Sequence, residues 1–334
     1  MKANCYICPR TREPLEIVAE SKQSGDALSG VFRNSHGDRY PINDGLPDFC
    51  YPSELTPAQQ QQHAYYESNA DNYDNIQGVT FALQNEDEPA IRKKMVDELR
   101  LKPADKVLEL ACGTGRDSVN IAASLGPQGE FYVQDLSVAM LKQCRDKLKP
   151  FSVPFHCSRG NATNLPFPDN YFDAVFSFGG LNVFPDRKKS LKEMVRVTKS
   201  NGRIVVGDEG MPPWLYDTEF GKILLNGNPL LSFKVPLEDL PFEARDVSVQ
   251  WIIGGVYYLI SFAVGVGEPA GNFDLEIPGR RGGTLKTRYY GRLEGVTTET
   301  RQLVVDAASK ANVSLHEFID GALRAAVEQS QSKA

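Results

Sequence analysis

Histidine, cysteine and tryptophan are scarce in this chain of 334 residues, which has four His, six Cys and two Trp. Six cysteines (Cys5, Cys8, Cys50, Cys112, Cys144, Cys157) in so long a chain are expected to be reduced thiols. A disulfide framework serves small secreted domains that have too little chain to bury a core. A basic excess is missing as well. The formal charge of −6 argues against nonspecific binding to nucleic acid or anionic membranes, which reward a basic surface that releases phosphate counterions. Long apolar runs are also absent: the longest, near 251–266, is broken by Gly254, Gly255, Tyr257, Tyr258 and Ser261 and is too short to span a bilayer. The start, Met1-Lys2-Ala3-Asn4-Cys5, shows no apolar stretch followed by a small-residue cleavage site, so no secretory signal is read there and a cytoplasmic location is expected.

What remains is ordinary globular material, 41% hydrophobic and 24% charged. The length exceeds a usual single domain, so one large core with additions, or two domains, is expected. Residues 1–56 read as a unit of small strands and turns, with Cys5-Tyr6-Ile7-Cys8 near its start and Tyr40-Pro41-Ile42-Asn43-Asp44-Gly45 near its end. The next stretch, 57–75, holds Gln59 to Gln62, His63, Tyr65, Tyr66 and Tyr73, and reads as a surface helix or lid leading into a loop. From Glu88 onward helix-like and strand-like segments alternate, the signature of a parallel sheet covered by helices on both faces. Strands are expected at 106–110, 130–134, 154–158, 172–178 and 202–207, and helices at 90–99, 117–125, 137–148 and 187–198. Extended runs at 246–254 and 256–264 suggest a hairpin turned by adjacent glycines, giving the sheet an antiparallel end. The last part differs: a strand at 284–293, then helices at 298–311 and 314–331, the second opened by Ser314 with Glu317 as a capping box.

The loop Val107-Leu108-Glu109-Leu110-Ala111-Cys112-Gly113-Thr114-Gly115-Arg116 follows a buried strand and precedes a helix. Gly113 and Gly115 let backbone N–H groups and the positive end of the helix approach a ligand carboxylate or phosphate. A third glycine at the dinucleotide position is missing, since Val119 and Asn120 follow instead, so the NAD or FAD fingerprint is not met. Asp135 ends the next strand, twenty residues after Gly115, where a carboxylate can accept from both hydroxyls of a ribose. Ser137-Val138-Ala139-Met140-Leu141 opens the following helix, Gly160-Asn161-Ala162 follows the third strand, and Leu165-Pro166-Phe167-Pro168-Asp169-Asn170-Tyr171-Phe172-Asp173 leads into the fourth.

Over roughly 65–210 this ordered set resembles the class I S-adenosylmethionine-dependent methyltransferases, and in particular the branch of ubiquinone and menaquinone biosynthesis C-methyltransferases. The resemblance implies an α/β fold with a Rossmann-like seven-stranded core, and S-adenosylmethionine as cofactor. Carried over residue by residue, Glu109, Gly113 and Gly115 would hold the amino-acid end of the cofactor and Asp135 the ribose. Met140 would pack on the adenine, with Asn161 and Ala162 at its ring edge. Most relatives have an Asp where Asn161 stands, and an Asn still accepts through its carbonyl oxygen. Ser177, Phe178 and Gly179 match the floor beneath the sulfonium, Tyr66 and Tyr73 the lid aromatics, and Thr114 and Leu136 complete the cofactor set.

Methyl transfer from a sulfonium demands alignment and exclusion of water more than a nucleophile. A weakly acidic acceptor would need a base, and His63, His156, Asp208, Glu209 and Tyr257 are the candidates. Asp208 and Glu209 follow the fifth strand at its carboxyl end, where open α/β sheets place ligands. Trp214, Leu215, Phe220, Trp251 and Tyr257 are available for an apolar acceptor pocket. Cys112, Cys144 and Cys157 read as structural thiols rather than arsenite ligands.

The two ends carry further resemblances. Residues 1–56 are similar to the zinc-ribbon-like domain that precedes the core in some ribosomal-RNA guanine methyltransferases, through Cys5-x-x-Cys8 and Tyr40-Pro41-Ile42. A structural zinc takes four ligands. Here His36 matches one of the second pair, but Phe32 stands where a cysteine is expected, so a zinc on Cys5, Cys8 and His36 and a metal-free remnant are both open. Residues 281–334 resemble a ribbon-helix-helix module, which pairs as a homodimer and can bind DNA; Arg280, Arg281, Lys286, Arg288 and Arg292 cluster there. The expected domains are therefore 1–56, 57–280 and 281–334. The expected activity is methyl transfer to a small hydrophobic or aromatic metabolite, against the alternatives of an RNA methyltransferase and a cofactor-binding DNA-binding regulator.

Overall fold

Apolar stretches without alternation, such as Val107–Leu108 and Phe131-Tyr132-Val133, suit strands buried on both faces, and they lie on adjacent interior strands of a mixed sheet. The computed structural model describes residues 5–23, 26–54, 56–290 and 296–332. Its contacts divide the chain into two units, Met1–Glu268 and Pro269–Ala334.

The first unit opens with an antiparallel sheet of β1 (Glu16–Gln23), β2 (Asp26–Arg33), β3 (Arg39–Asn43) and β4 (Leu46–Pro47), in that spatial order. Then come α1 (Pro57–Leu83), α2 (Glu88–Asp97), β5 (Lys106–Leu110), α3 (Ser118–Ser124), β6 (Glu130–Asp135), α4 (Val138–Leu148) and β7 (Phe155–Arg159). They are followed by β8 (Phe172–Phe178), α5 (Arg187–Val197), β9 (Thr198–Glu209), α6 (Glu219–Gly227), β10 (Ala244–Ile252) and β11 (Tyr257–Val264). The large sheet has seven strands in the order β10-β11-β9-β8-β5-β6-β7. β9, β8, β5, β6 and β7 are parallel, while β11 and β10 close one end antiparallel. This is the α/β, Rossmann-like architecture that the alternating segments imply.

The chain winds from β5 outward to β7, then returns to β8 on the other side of β5. That reversal creates a crevice at the carboxyl ends of β5 and β8, the position where doubly wound sheets bind ligands. Each face of the sheet has its own core. One contains Leu108, Leu110, Tyr132 and Val175, the other Val107, Phe131, Val133 and Phe176. The small N-terminal sheet belongs to the first of these cores. Tyr6 packs on Phe32, Phe49 and Phe167 at centroid distances of 5.4, 4.7 and 5.5 Å, and Phe167 in turn meets Tyr132 at 5.6 Å. Each such buried phenylalanine contributes about 1.5–3 kcal/mol. Backbone bonds from Ile7 to Pro166 O (2.9 Å) and from Phe49 to Arg159 O (2.8 Å) fix the docking.

Two expectations are corrected. The polar stretch after residue 56 is one helix of 27 residues rather than a helix that gives way to a loop near 75. In the second unit, the strand expected over 284–293 is instead a helix, α7 (Leu285–Tyr290), as far as residue 290; Arg292 and Leu293 lie outside the described residues. The threonines and tyrosines suggest a strand, but Thr284 and Thr287 cap one another reciprocally. Thr284 N–H donates to Thr287 Oγ1 at 2.8 Å, and Thr287 N–H to Thr284 Oγ1 at 3.1 Å. A local cap thereby outweighs strand propensity. α8 (Thr298–Lys310) and α9 (Leu315–Gln331) follow, with Ser314 accepting from Glu317 N–H at 3.1 Å. Among the described residues no helix is long and apolar enough to cross a membrane.

Candidate functional site

The loop leaving β5 reaches the crevice through left-handed backbone at Ala111 (φ 53°), Gly113 (φ 53°) and Gly115 (φ 86°). The two glycines serve different ends. A Cβ on Gly115 would come within 2.9 Å of Cys144 Sγ and 3.0 Å of Cys144 Cα, so this glycine lets the loop lie against α4. A Cβ on Gly113 would meet nothing nearer than Tyr73 Cε1 at 3.8 Å, on the side that opens into the cleft. Asp135, ending β6, clamps the loop: Oδ2 accepts from Gly113 N–H at 2.8 Å and Oδ1 from Ser137 N–H at 2.9 Å. Burial pushes its carboxyl above the ordinary range, opposed by these backbone donors.

The resulting cleft encloses about 940 Å³ of space when its open mouth is counted. Tyr66, Tyr73, Gly113, Asp135, Leu136, Met140, Asn161, Ala162 and Phe178 all line it. The other expected cofactor residues lie behind the wall. Glu109 is buried and accepts from Ser118 Oγ at 2.5 Å, and burial pushes its carboxyl well above the usual range. Thr114 donates its hydroxyl to Asp74, Gly115 packs on α4, and Ser177 is fully buried with no hydrogen-bond partner for its Oγ.

One wall is built by α1, and the sequence carries an overlooked signal for it. Glu67, Asp71 and Asp74 stand at helical spacing on one face and dock along α4. Glu67 Oε1 accepts from Val138 N–H at 2.6 Å, capping the positive end of α4; Asp71 accepts from Gln143 Nε2 at 3.1 Å; Asp74 pairs with Lys147 Nζ at 2.5 Å. On the cleft side the same helix presents Gln62, His63, Tyr66 and Tyr73, the two tyrosine rings edge-to-face at 6.0 Å. Burial pushes the Tyr66 hydroxyl up to about 12, so it stays a neutral hydrogen-bonding group at any ordinary pH.

Residues 107–202 match the family model described as a methyltransferase domain. The chain is similar to the demethylmenaquinone methyltransferase of Anoxybacillus flavithermus, 35% identical over 156 residues that make up 46% of this chain and 64% of that protein. The protein of the same name from Desulfitobacterium hafniense is 36% identical over 135 residues, 37% of this chain and 53% of that one. Among solved structures, the SAM-dependent methyltransferase from Aquifex aeolicus superposes with a TM-score of 0.39 at 20% identity, over 52% of this chain and 89% of that one. The chain thus spans less than two thirds of the length of these curated relatives.

Of the candidate bases, only His63, on α1, lines the cleft. Asp208, Glu209 and Tyr257 cluster one layer back, where Tyr257 stacks on Phe178 at 5.3 Å. Glu209 Oε1 accepts from Tyr257 OH at 3.2 Å and from Asn228 Nδ2 at 2.9 Å. Asp208 accepts from the backbone N–H groups of Asn182 and Glu209, each at 2.7 Å, and burial pushes its carboxyl up to about 7. His156 sits on β7, packed on Tyr132 at 4.6 Å, away from the cleft. Trp214 (68% exposed) and Trp251 meet each other at 5.1 Å, and neither they nor Leu215 and Phe220 reach the cleft. Its apolar lining comes instead from Val183, Phe184 and Pro185, after β8, where a short segment between strand and helix gives no periodic signal.

At the N-terminus the zinc reading does not fit. Cys8 Sγ lies 3.2 Å from Tyr40 OH and 3.4 Å from Asp38 Oδ2, and His36 Nδ1 lies 2.5 Å from Glu13. Burial pushes the Cys5 thiol up to about 11, disfavouring the thiolate that a metal needs. Phe32, at the position of an expected ligand, is fully buried against Tyr6 and Phe49. Among the described residues no group of three or more His, Cys, Asp or Glu side chains is disposed to hold a metal.

Proposed function

We propose that this chain binds S-adenosylmethionine in the cleft at the carboxyl ends of β5, β6 and β8, and methylates a small hydrophobic or aromatic acceptor of the quinol type. The observation that carries this reading is the Asp135 clamp. A carboxylate at the end of β6 and a glycine loop with its backbone open at Gly113 face one cleft beneath aromatic residues of α1. The residues fit the cofactor's parts: N–H groups near Gly113 for a carboxylate, Asp135 for ribose hydroxyls, and Leu136, Met140 and Ala162 for the faces of a flat ring.

Bound S-adenosylmethionine supplies a methyl group already activated on a sulfonium. What the chain supplies is enclosure and alignment. Tyr66 and Tyr73 shield the cleft from water, while Phe178, Val183 and Phe184 offer an apolar wall to an aromatic acceptor. A phenolic proton would leave to His63 on the wall, or to the Glu209–Tyr257 pair behind Phe178. The acceptor class draws support from the relatives, whose names give demethylmenaquinone as their acceptor. The alternatives lose support at the ends of the chain. The degenerate metal cluster weakens the likeness to RNA methyltransferases, and a helix stands in the described part of the ribbon that a DNA-binding module would use.

The test has two steps. Calorimetry with S-adenosylhomocysteine should show saturable binding to the intact chain; absence of heat would count against the site. Methyl transfer from labelled cofactor should then appear with reduced naphthoquinones and simple phenols and not with ribosomal RNA. Label on RNA alone would overturn the acceptor class.

A further inference from the structure

β6 is apolar through Phe131, Tyr132 and Val133, yet its next residue is Gln134. This side chain is 1% exposed, lines the cleft, and has no hydrogen-bond partner for either Nε2 or Oε1. A buried amide left unpaired destabilises a fold, whereas a leucine in the same space would not. Room for it is made by Gly160: a Cβ there would stand 1.9 Å from Gln134 Nε2.

The residue after that glycine, Asn161, lines the same cleft with its own amide already half committed. Asn161 Oδ1 accepts from Thr163 N–H at 3.0 Å and from Thr163 Oγ1 at 2.8 Å. A backbone N–H only donates, so the atom it meets is the carbonyl oxygen and the amide has one orientation. Nδ2 is therefore what Asn161 can offer a ligand, and it is a donor. An aspartate making the same turn would keep its second oxygen as an acceptor. The acceptor role that the family resemblance assigns to Asn161 has thus lost its atom.

An adenine edge presents an acceptor, ring N1, beside a donor, the 6-amino group. We propose that Gln134 and Asn161 divide the reading of that edge, Asn161 Nδ2 donating to N1 and Gln134 Oε1 accepting from the 6-amino group. This rests on the S-adenosylmethionine reading above and goes beyond it in naming Gln134 as the residue that selects the amino-purine. Hypoxanthine reverses both partners. Its N1–H meets the N–H of Asn161, which Thr163 prevents from turning.

Calorimetry with three ligands tests this: S-adenosylhomocysteine, its hypoxanthine counterpart, and the counterpart whose purine carries hydrogen in place of the 6-amino group. Wild type should prefer the adenine ligand to the hydrogen-bearing one by about tenfold, one hydrogen bond to a buried group. In Gln134→Met, of similar size, that preference should shrink to within about twofold, with affinity for the hydrogen-bearing ligand unchanged. Because the readout is a ratio within one protein, a general loss of stability does not imitate it. Gly160→Ala, which displaces the amide without removing it, should shrink the ratio likewise. Wild-type binding to S-adenosylhomocysteine with the same ratio in Gln134→Met would overturn this inference alone. No binding by wild type would overturn the cofactor reading and this inference with it.

Discussion

Asp135 Oδ2 accepts the backbone N–H of Gly113 at 2.8 Å, tying the end of β6 to the loop that leaves β5. The same carboxylate takes Ser137 N–H at 2.9 Å, so one side chain sets both the loop and the entry to α4. Charge-assisted bonds of this kind contribute about 1.5–3 kcal/mol each. Asp135→Ala should therefore lower both the melting temperature and the affinity for S-adenosylhomocysteine, the latter by about 100-fold. Asp135→Asn, with one acceptor oxygen left, should fall between. Equal binding by the alanine variant would remove Asp135 from the site.

The paired glycines predict opposite kinds of damage. Gly115→Ala drives a methyl group into Cys144 at 2.9–3.0 Å with φ at 86°, and should destabilise the fold by about 2–4 kcal/mol in urea unfolding. Gly113→Ala has space around it and carries only the left-handed backbone cost of about 1–2 kcal/mol. Its larger effect should be on ligand affinity, since the added methyl group enters the cleft. Similar losses of stability in both variants would contradict the division of roles.

Much of the cleft lining is legible in the sequence because its signals are local and jointly ordered: glycines after a buried strand, Asp135 at the next strand end, Asn161-Ala162 after the third. Glu67, Asp71 and Asp74 stand at helical spacing, but an acidic stripe equally fits a solvated face, and its partner on α4 is some seventy residues away. The Thr284–Thr287 cap is hidden for a related reason: β-branched residues weigh toward strand unless their side chains bond the backbone. The orientation of Asn161 lay beyond any sequence reading, since Asp and Asn differ there only once the turn onto Thr163 is formed.

Glu67 joins α1 to the start of α4, and His63, Tyr66 and Tyr73 ride on α1. Removing the carboxylate in Glu67→Ala leaves the Val138 and Ala139 N–H groups of α4 without their cap, at a cost of about 1–2 kcal/mol. Amide hydrogen exchange should quicken along α1 while the central strands keep their protection, and ligand affinity should fall with it. Unchanged exchange in α1 would show that the helix is held by other contacts.

In the N-terminal sheet, Asn34 does the joining that a metal performs in a zinc ribbon. Its Nδ2 donates to Thr11 Oγ1, Glu13 Oε2 and Asp38 Oδ2 at 3.1, 3.3 and 2.8 Å, and its Oδ1 accepts from the N–H groups of His36 and Asp38 at 3.1 and 2.9 Å. Asn34→Ala should cost about 2–3 kcal/mol. A strong zinc chelator should leave the melting temperature of the wild type unchanged, whereas domains folded around zinc unfold on its removal. A drop on chelation would restore the metal reading.

Asp208 makes the clearest pH prediction. Burial raises its folded pKa from an ordinary 3.8 to about 7, although two backbone N–H groups favour the anion. Between those values the folded chain holds a proton that the unfolded chain has released. Stability therefore falls as pH rises from about 4 to about 7, by a few kcal/mol from this group, and is flat with respect to it outside that window. Asp208→Asn cannot ionise, and its single oxygen serves only one of the two N–H donors, so it should be less stable than wild type at pH 5. Its stability should then decline less between pH 5 and pH 8. Urea unfolding of both proteins across that range checks the difference, and parallel profiles would sink it. Above pH 7 the Asp208 anion adds to burial in raising the Tyr66 hydroxyl on the cleft wall and the Tyr257 hydroxyl one layer behind it, so both stay neutral. Activity should thus persist into mildly alkaline pH, with the stability lost below pH 7 not falling further through this group and Tyr66 unionised throughout.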